Sequence, residues 1–349
     1  MYNSYPIHIT GHKHPDTDSI CSAIAYAELK RKLGYNAIAC RLGEVNHETR
    51  YVLKRFGFQH PVILDDARMR LNEIDLDKAV TIKEETTIYE AWQLMSTEKK
   101  VLCVVDDDNH LLGVLTNSNL ASVAMGDTAK SIELLSKTPI EYIVKTVQGA
   151  LVYAPKVTRL NGKVSIVAVA EHKLDNYELK DRTVIVGNDT EAQLQAIEKD
   201  AACLVVVWAE SIRDEVIKAA KEKGCAIIMS GHGTLNTSRY LFYSSPIKFI
   251  MSTELVTFEK TEFVDDALNK VVKSRFRSYP VVDGDGRIYG LVSRYHLLNA
   301  RRKQIILVDH NETAQSVDSL MEAELLEVID HHRIGDIQTN KPINFRNQL

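Results

Sequence analysis

Three short apolar runs in this chain end abruptly in polar clusters: "YPIHIT" runs into "GHKHPDTD", "QIILVD" into "HNET", and "LEVID" into "HHRIGD". Runs of this length, bounded by turn-forming residues, predict strands. Between the first run and "NAIACRL" lies "SICSAIAYAELKRKLG", whose apolar spacing predicts a helix, with Ser19 as its expected N-cap. Residues 1 to 70 and 304 to 349 thus alternate strand and helix. They read as two parts of one parallel α/β domain interrupted by a long insertion.

The interruption carries an internal repeat. Residues 80 to 121 align with 256 to 300: Val104-Val105-Asp106 falls on Val281-Val282-Asp283, and Gly113 with Thr116 on Gly290 with Ser293. Each copy predicts a short strand, an amphipathic helix, a hairpin turning on "DDDN" or "DGDG", and a further helix. Between the copies, "VSIVAVA", "RTVIVG", "CLVVVWA" and "CAIIMS" predict strands, alternating with helical "DTEAQLQAIEKDA" and "RDEVIKAAKEKG". That pattern predicts a small α/β domain. The expected division is 1–70, 71–124 (first repeat), 125–245 (small domain), 246–303 (second repeat) and 304–349.

Composition narrows the function classes. The 349 residues carry a net charge of −4, and 45% are apolar, which suits several globular cores without the basic footprint of a nucleic-acid binder. The five cysteines are scattered, without metal-ligating or redox spacing, and read as buried thiols. The apolar runs, such as "ACLVVVWA", fall far short of the ~20 residues that cross a bilayer. A cytoplasmic protein is expected.

The polar clusters carry the candidate chemistry. Ligands of a parallel α/β sheet bind outside the carboxyl ends of its strands. His12, Asp16, Asp18, Asp309, Asp330, His331 and His332 are therefore expected to converge. "PDTDS" alone could be an Asx turn capping a helix; two further clusters at strand ends favour metal binding. Imidazole and carboxylate without thiolate suit Mn²⁺, Mg²⁺ or Co²⁺, and so many ligands suit a pair of ions, the arrangement that hydrolyses phosphate esters and anhydrides.

"GHKHPDTDS", "ILVDHNE" and "EVIDHHRI" resemble the motifs of the DHH phosphoesterase superfamily, and within it the family II inorganic pyrophosphatases. The insertion resembles the regulatory insert of their CBS-domain subfamily, two CBS repeats flanking a DRTGG domain. The resemblance implies hydrolysis of pyrophosphate to two phosphates with Mn²⁺ or Co²⁺, and with Mg²⁺ accompanying the substrate. It implies His12 and Asp16 as ligands of one metal, Asp18 and His331 of the other, Asp309 between them, Asp330 orienting a histidine, and His332 facing the phosphate. His14 stands where simpler members carry asparagine and is a further catalytic candidate. In the repeats the resemblance implies an AMP, ADP or ATP cleft formed by Lys100, Thr116, Asn119, Arg277, Tyr279 and Ser293, and a homodimer through the CBS domains. "KDRTVIVGN" keeps Asp181-Arg182-Thr183 without the two glycines. Family members continue past "PINFRN" into a cationic substrate-binding domain, whereas this sequence reads "NFRNQL" and stops, so weak or no hydrolysis is expected of it. Two other functions are compatible with the residues: a DHH phosphoesterase acting on short nucleotides or polyphosphate, and a non-catalytic adenine-nucleotide sensor.

Overall fold

The computed structural model describes residues 5–96, 101–167 and 177–347. The chain divides into two compact units, Met1–Asp77 with Phe258–Arg277 and Val292–Leu349, and Lys78–Thr257 with Ser278–Leu291. The first unit opens with β1 (Ile7–Thr10), α1 (Thr17–Lys32), β2 (Ala37–Arg41), α2 (His47–Phe56) and β3 (Val62–Ile63). Helix α1 starts three residues earlier than expected. Its N-cap is Asp16, which has an extended backbone and a carboxylate that accepts the Ser19 N–H, rather than Ser19 itself. Ile20, Ala23 and Ala27 then recur at helical spacing and are buried.

The second unit holds the first repeat: β4 (Thr81–Ile82), α3 (Ile88–Met95), β5 (Val101–Val105), β6 (Leu111–Thr116) and α4 (Asn117–Ala124). It continues through α5 (Thr128–Ser136), α6 (Ile140–Thr146), β7 (Ala150–Tyr153), β8 (Val164–Val167), β9 (Thr183–Val186) and α7 (Thr190–Glu198). Then follow β10 (Cys203–Val206), α8 (Asp214–Lys223), β11 (Ala226–Met229) and α9 (Thr234–Leu241). Strands β8 to β11 are parallel neighbours in sequence order, and both faces of their sheet are buried, one against Val216 and Ala220, the other against Ile143 and Leu241. Strand β7 pairs antiparallel with β11 at the edge. It escaped the sequence pattern because Ala150–Tyr153 is short and half exposed, so no burial constrains its residues.

The second repeat supplies β12 (Phe258–Glu259), α10 (Val264–Val272), β13 (Tyr279–Val282), β14 (Ile288–Val292) and α11 (Arg294–Leu298). Its element order repeats that of the first. The two hairpin turns meet within the second unit: Leu111 donates its N–H to Gly286 and Ile288 to Asn109, each at 3.1 Å.

The chain then returns to the first unit with β15 (Gln304–Val308), β16 (Glu324–Asp330) and β17 (Asn344–Asn347). All six strands of the resulting sheet are parallel, in the order β17-β16-β15-β1-β2-β3. Strand β15 is central and buried on both sides: Ile306 and Val308 join Ile9 and Ala23 on one face, and Ile305 and Leu307 join Cys40 and Val328 on the other. Pairing of β1 with β15 and of β15 with β16 brings three strand ends, separated by some 300 residues of sequence, to one edge of the sheet. Among the described residues, no helix is long and apolar enough to cross a membrane.

Candidate metal centre

The site is built where β1, β15 and β16 end. Gly11 lets the end of β1 press against the start of α1, since a Cβ there would fall 1.7 Å from Ser19 Oγ. Ser19 Oγ accepts the His12 N–H at 3.1 Å, which fixes the His12 backbone. Asp16, as helix cap, keeps its carboxylate at the same corner. His12 Nε2 lies 3.8 Å from Asp16 Oδ1 and 3.5 Å from Asp309 Oδ2.

Asp309 follows β15 directly. Its φ of +62° turns the chain sharply, and its N–H is held by the Ile329 carbonyl at 2.9 Å. The side chain is only 5% exposed. Its second oxygen, Oδ1, stands 3.2 Å from His331 Nε2 and 4.0 Å from His332 Nδ1. Burial works against ionisation of Asp309, but contacts with His12 and His331 outweigh it and hold the carboxyl below its ordinary range. The Asp309 carboxylate in turn raises the His12 imidazole, against the opposing effect of burial.

Two groups of donor atoms result, each with its atoms within 4.8 Å of one another: His12, Asp16 and Asp309, and Asp309, His331 and His332. Asp309 belongs to both. Asp18 lies beside the second group, 3.9 Å from His331 Nε2. His14 is exposed in the same loop and belongs to neither group. The donors are nitrogen and oxygen only. The separations of 3.5 to 3.9 Å between His12 and its two aspartates, and between His331 and Asp18, exceed ordinary hydrogen bonds and suit atoms facing a common cation. The residues therefore fit hard or borderline divalent ions.

Asp330 supports the centre without joining either group. Its fully buried carboxylate accepts His332 Nδ1 at 2.8 Å and the N–H groups of His331 and His332. Two residues missed by sequence reasoning complete this support. Asn311 donates Nδ2 to Asp330 and to the Arg333 carbonyl, and its Oδ1 receives the Gly335 N–H. His310 is 3% exposed and spans the Val308 carbonyl and Ser316 Oγ, each at 3.0 Å. The signal available was "DHN": two polar residues after a central strand, which a buried strand end must satisfy.

The nucleotide candidates are distributed differently. Thr116 and Asn119 form a capping box for α4, and the Asn119 amide also donates to the Ile250 carbonyl and Ser252 Oγ, so this side chain is engaged within the protein. Ser293 pairs with His296 Nδ1 at 2.9 Å at the start of α11. Tyr279, expected to stack on adenine, is 1% exposed and forms part of the core, in a strand whose first three residues are all buried. Arg277 is exposed. Lys100 lies outside the described residues.

With this geometry in hand, comparison decides the family. The DHH family, N-terminal domain, matches residues 6–348. The chain belongs to the DHH family. A cobalt-dependent inorganic pyrophosphatase of Clostridium perfringens is 35% identical to this DHH chain over 346 residues, covering 98% of it and 63% of the relative. A probable manganese-dependent inorganic pyrophosphatase of Thermotoga maritima is 32% identical over 347 residues, with the same coverage. The chain thus spans less than two thirds of the length of these relatives. A crystal structure of the CBS and DRTGG domains of the regulatory region of Clostridium perfringens pyrophosphatase, complexed with the activator diadenosine tetraphosphate, matches 65% of this chain and all of that one. Its TM-score is 0.58 at 25% identity. The fold is therefore a parallel-sheet DHH domain interrupted by a CBS pair and a small α/β DRTGG domain.

Proposed function

We propose that the chain carries the two-metal centre of a Mn²⁺- or Co²⁺-dependent inorganic pyrophosphatase, hydrolysing pyrophosphate to two phosphates. The observation that carries this reading is Asp309, one buried carboxylate shared by two nitrogen and oxygen donor groups. The names of the two relatives, each matched over 98% of this chain, support the substrate and the metals.

His12 and Asp16 would hold one ion, Asp18 and His331 the other, with Asp309 common to both. Divalent ions at such a site neutralise phosphate charge and activate water as a nucleophile, with Mg²⁺ entering on the substrate. Asp330 holds His332 through Nδ1, which leaves Nε2 to face the oxygen between the two phosphorus atoms. Asn311 keeps Asp330 in place, so the histidine pair is presented in one orientation. His14, exposed at the rim, would meet substrate rather than metal.

The inserted segments would regulate this centre. We keep the five-part division of the chain, with AMP, ADP or ATP bound by the CBS pair through Lys100, Thr116, Arg277 and Ser293, and with dimerisation through the CBS domains. The regulatory region of the Clostridium perfringens pyrophosphatase, solved with a nucleotide activator, supports the first point. Five free thiols, four of them buried, support a reducing, cytoplasmic setting.

The test is phosphate release from pyrophosphate with Mn²⁺ or Co²⁺, against a panel of short oligonucleotides and polyphosphate, alongside Mn²⁺ binding followed by electron paramagnetic resonance. Stoichiometric Mn²⁺ binding with pyrophosphate as the preferred substrate is the expected result. Failure to bind Mn²⁺, or preference for an oligonucleotide, would overturn the assignment.

A further inference from the structure

The central strands of the first unit have a second end. Tyr5 and Pro6 lead into β1, Gln304 begins β15 and Glu324 begins β16, and around these amino ends lies a cavity of about 570 Å³. It is opposite the metal residues, which follow the carboxyl ends of the same strands. Its volume lies within the ~300 to 1,000 Å³ common for small-molecule sites.

We propose that this cavity binds a small organic oxyanion: a phosphate or carboxylate group carried on a flat apolar body. Pro6, Met69, Leu320 and Leu325 give it an apolar wall. Four cations line it, and two of them are already committed. Lys303 is 5% exposed, with Nζ on Glu73 at 2.9 Å and on the Asp66 carbonyl at 3.3 Å; Lys341 Nζ is on Glu324 at 3.0 Å. Arg301 and Arg302 have no ion-pair partner among the described residues, and the Arg301 guanidinium lies over the Tyr5 ring at 4.5 Å. The two carboxylates of the cavity are thus paired with lysines, and the cations left over are Arg301 and Arg302, neighbours in sequence. A guanidinium matches a planar oxyanion in bidentate fashion, where an ammonium acts as a point charge. His8 contributes a buried Nδ1 with no hydrogen-bond partner among the described residues, and it lines the same cavity. A flat ligand body would sit along the apolar wall with its anionic end toward the arginines.

The position gives the site a role. Met69 and Glu73 belong to the segment by which the chain leaves β3 for the first repeat, and Arg301 to Gln304 form the segment by which it returns from α11 to β15. An anion seated here would tie together both connections between the DHH domain and its insertion. This site is independent of the proposed pyrophosphatase chemistry.

The experiment is isothermal titration calorimetry on the full chain in EDTA, with phenyl phosphate and benzoate as probes. One saturable site with Kd below about 1 mM is expected for at least one probe. Binding of phenyl phosphate alone identifies the group as phosphate, and binding of benzoate alone as carboxylate. Arg302→Ala should weaken the affinity ~10-fold or more, since one charge-assisted contact is removed. Met69→Trp should abolish binding by filling the cavity, and Asp309→Asn should leave it unchanged. Circular dichroism confirms folding; if Met69→Trp does not fold, the exposed Arg302→Ala carries the test. Absence of saturable binding for both probes, or a folded Arg302→Ala that binds as the parent does, overturns the proposal.

Discussion

The two carboxylate oxygens of Asp309 face different histidines, Oδ2 toward His12 Nε2 at 3.5 Å and Oδ1 toward His331 Nε2 at 3.2 Å. One side chain from the central strand thereby joins residues that follow β1 to residues that follow β16.

Asp309→Asn should therefore damage both halves of the centre at once. The amide keeps the volume but loses the shared negative charge. Mn²⁺ affinity should fall by more than the ~10- to 100-fold typical of losing an outer supporting group. Electron paramagnetic resonance titration measures this directly. An affinity within threefold of the parent would show that Asp309 is not a common ligand.

Asn311→Ala separates support from ligation. It leaves Asp330, the Arg333 carbonyl and the Gly335 N–H without their shared partner. An unsatisfied buried polar group costs ~1 to 3 kcal/mol, so urea unfolding should show a loss of about that size. Mn²⁺ affinity should fall as well, by ~10- to 100-fold, through the loosened histidine pair. Loss of stability with unchanged Mn²⁺ affinity would confine Asn311 to a folding role.

Tyr279→Ala distinguishes a core residue from a stacking platform. Removing a fully buried aromatic ring costs ~3 to 5 kcal/mol, so the variant should melt early. Tyr279→Phe, which keeps the ring, should keep adenine-nucleotide binding, as followed by calorimetry. A stable Tyr279→Ala that has lost only nucleotide affinity would restore the stacking role.

Asp66 predicts a pH effect away from the candidate metal ligands. Burial favours its neutral form, but hydrogen bonds from the Arg68 guanidinium and backbone N–H outweigh this and hold its carboxyl below the ordinary 3.8. A carboxyl depressed on folding stabilises the native state above its unfolded value, and the contribution disappears as pH falls below 3.8 toward the folded value. Asp66→Asn should lower stability at pH 7 and flatten the acid side of the stability profile, as read by urea unfolding at pH 7 and pH 3. An equal loss at both pH values would show that the effect is not ionic.

Much of this protein is legible in its sequence because local physics dictates it. The three strand ends were marked by the switch from "YPIHIT", "QIILVD" and "LEVID" to polar clusters, since a strand that packs into a core is mostly apolar and its exit to solvent is polar. The repeat was legible because each copy needs the same pattern to bury its own helix and hairpin. The N-cap at Asp16 in place of Ser19, and the edge strand β7, were not, because two capping residues three positions apart compete and an exposed edge leaves no periodic trace.

What the sequence determined by itself was the list of metal-binding candidates and the strands that carry them. Only the tertiary structure decided how they meet. Parallel pairing of β1, β15 and β16 set Asp309 between two histidine corners, drew Asn311 beneath Asp330, and left His14 outside. It also turned Tyr279 into the core and gathered Arg301, Arg302 and His8 around a cavity at the far end of the sheet. Residues so far apart in sequence share no local signal, and their meeting is fixed by sheet register and packing.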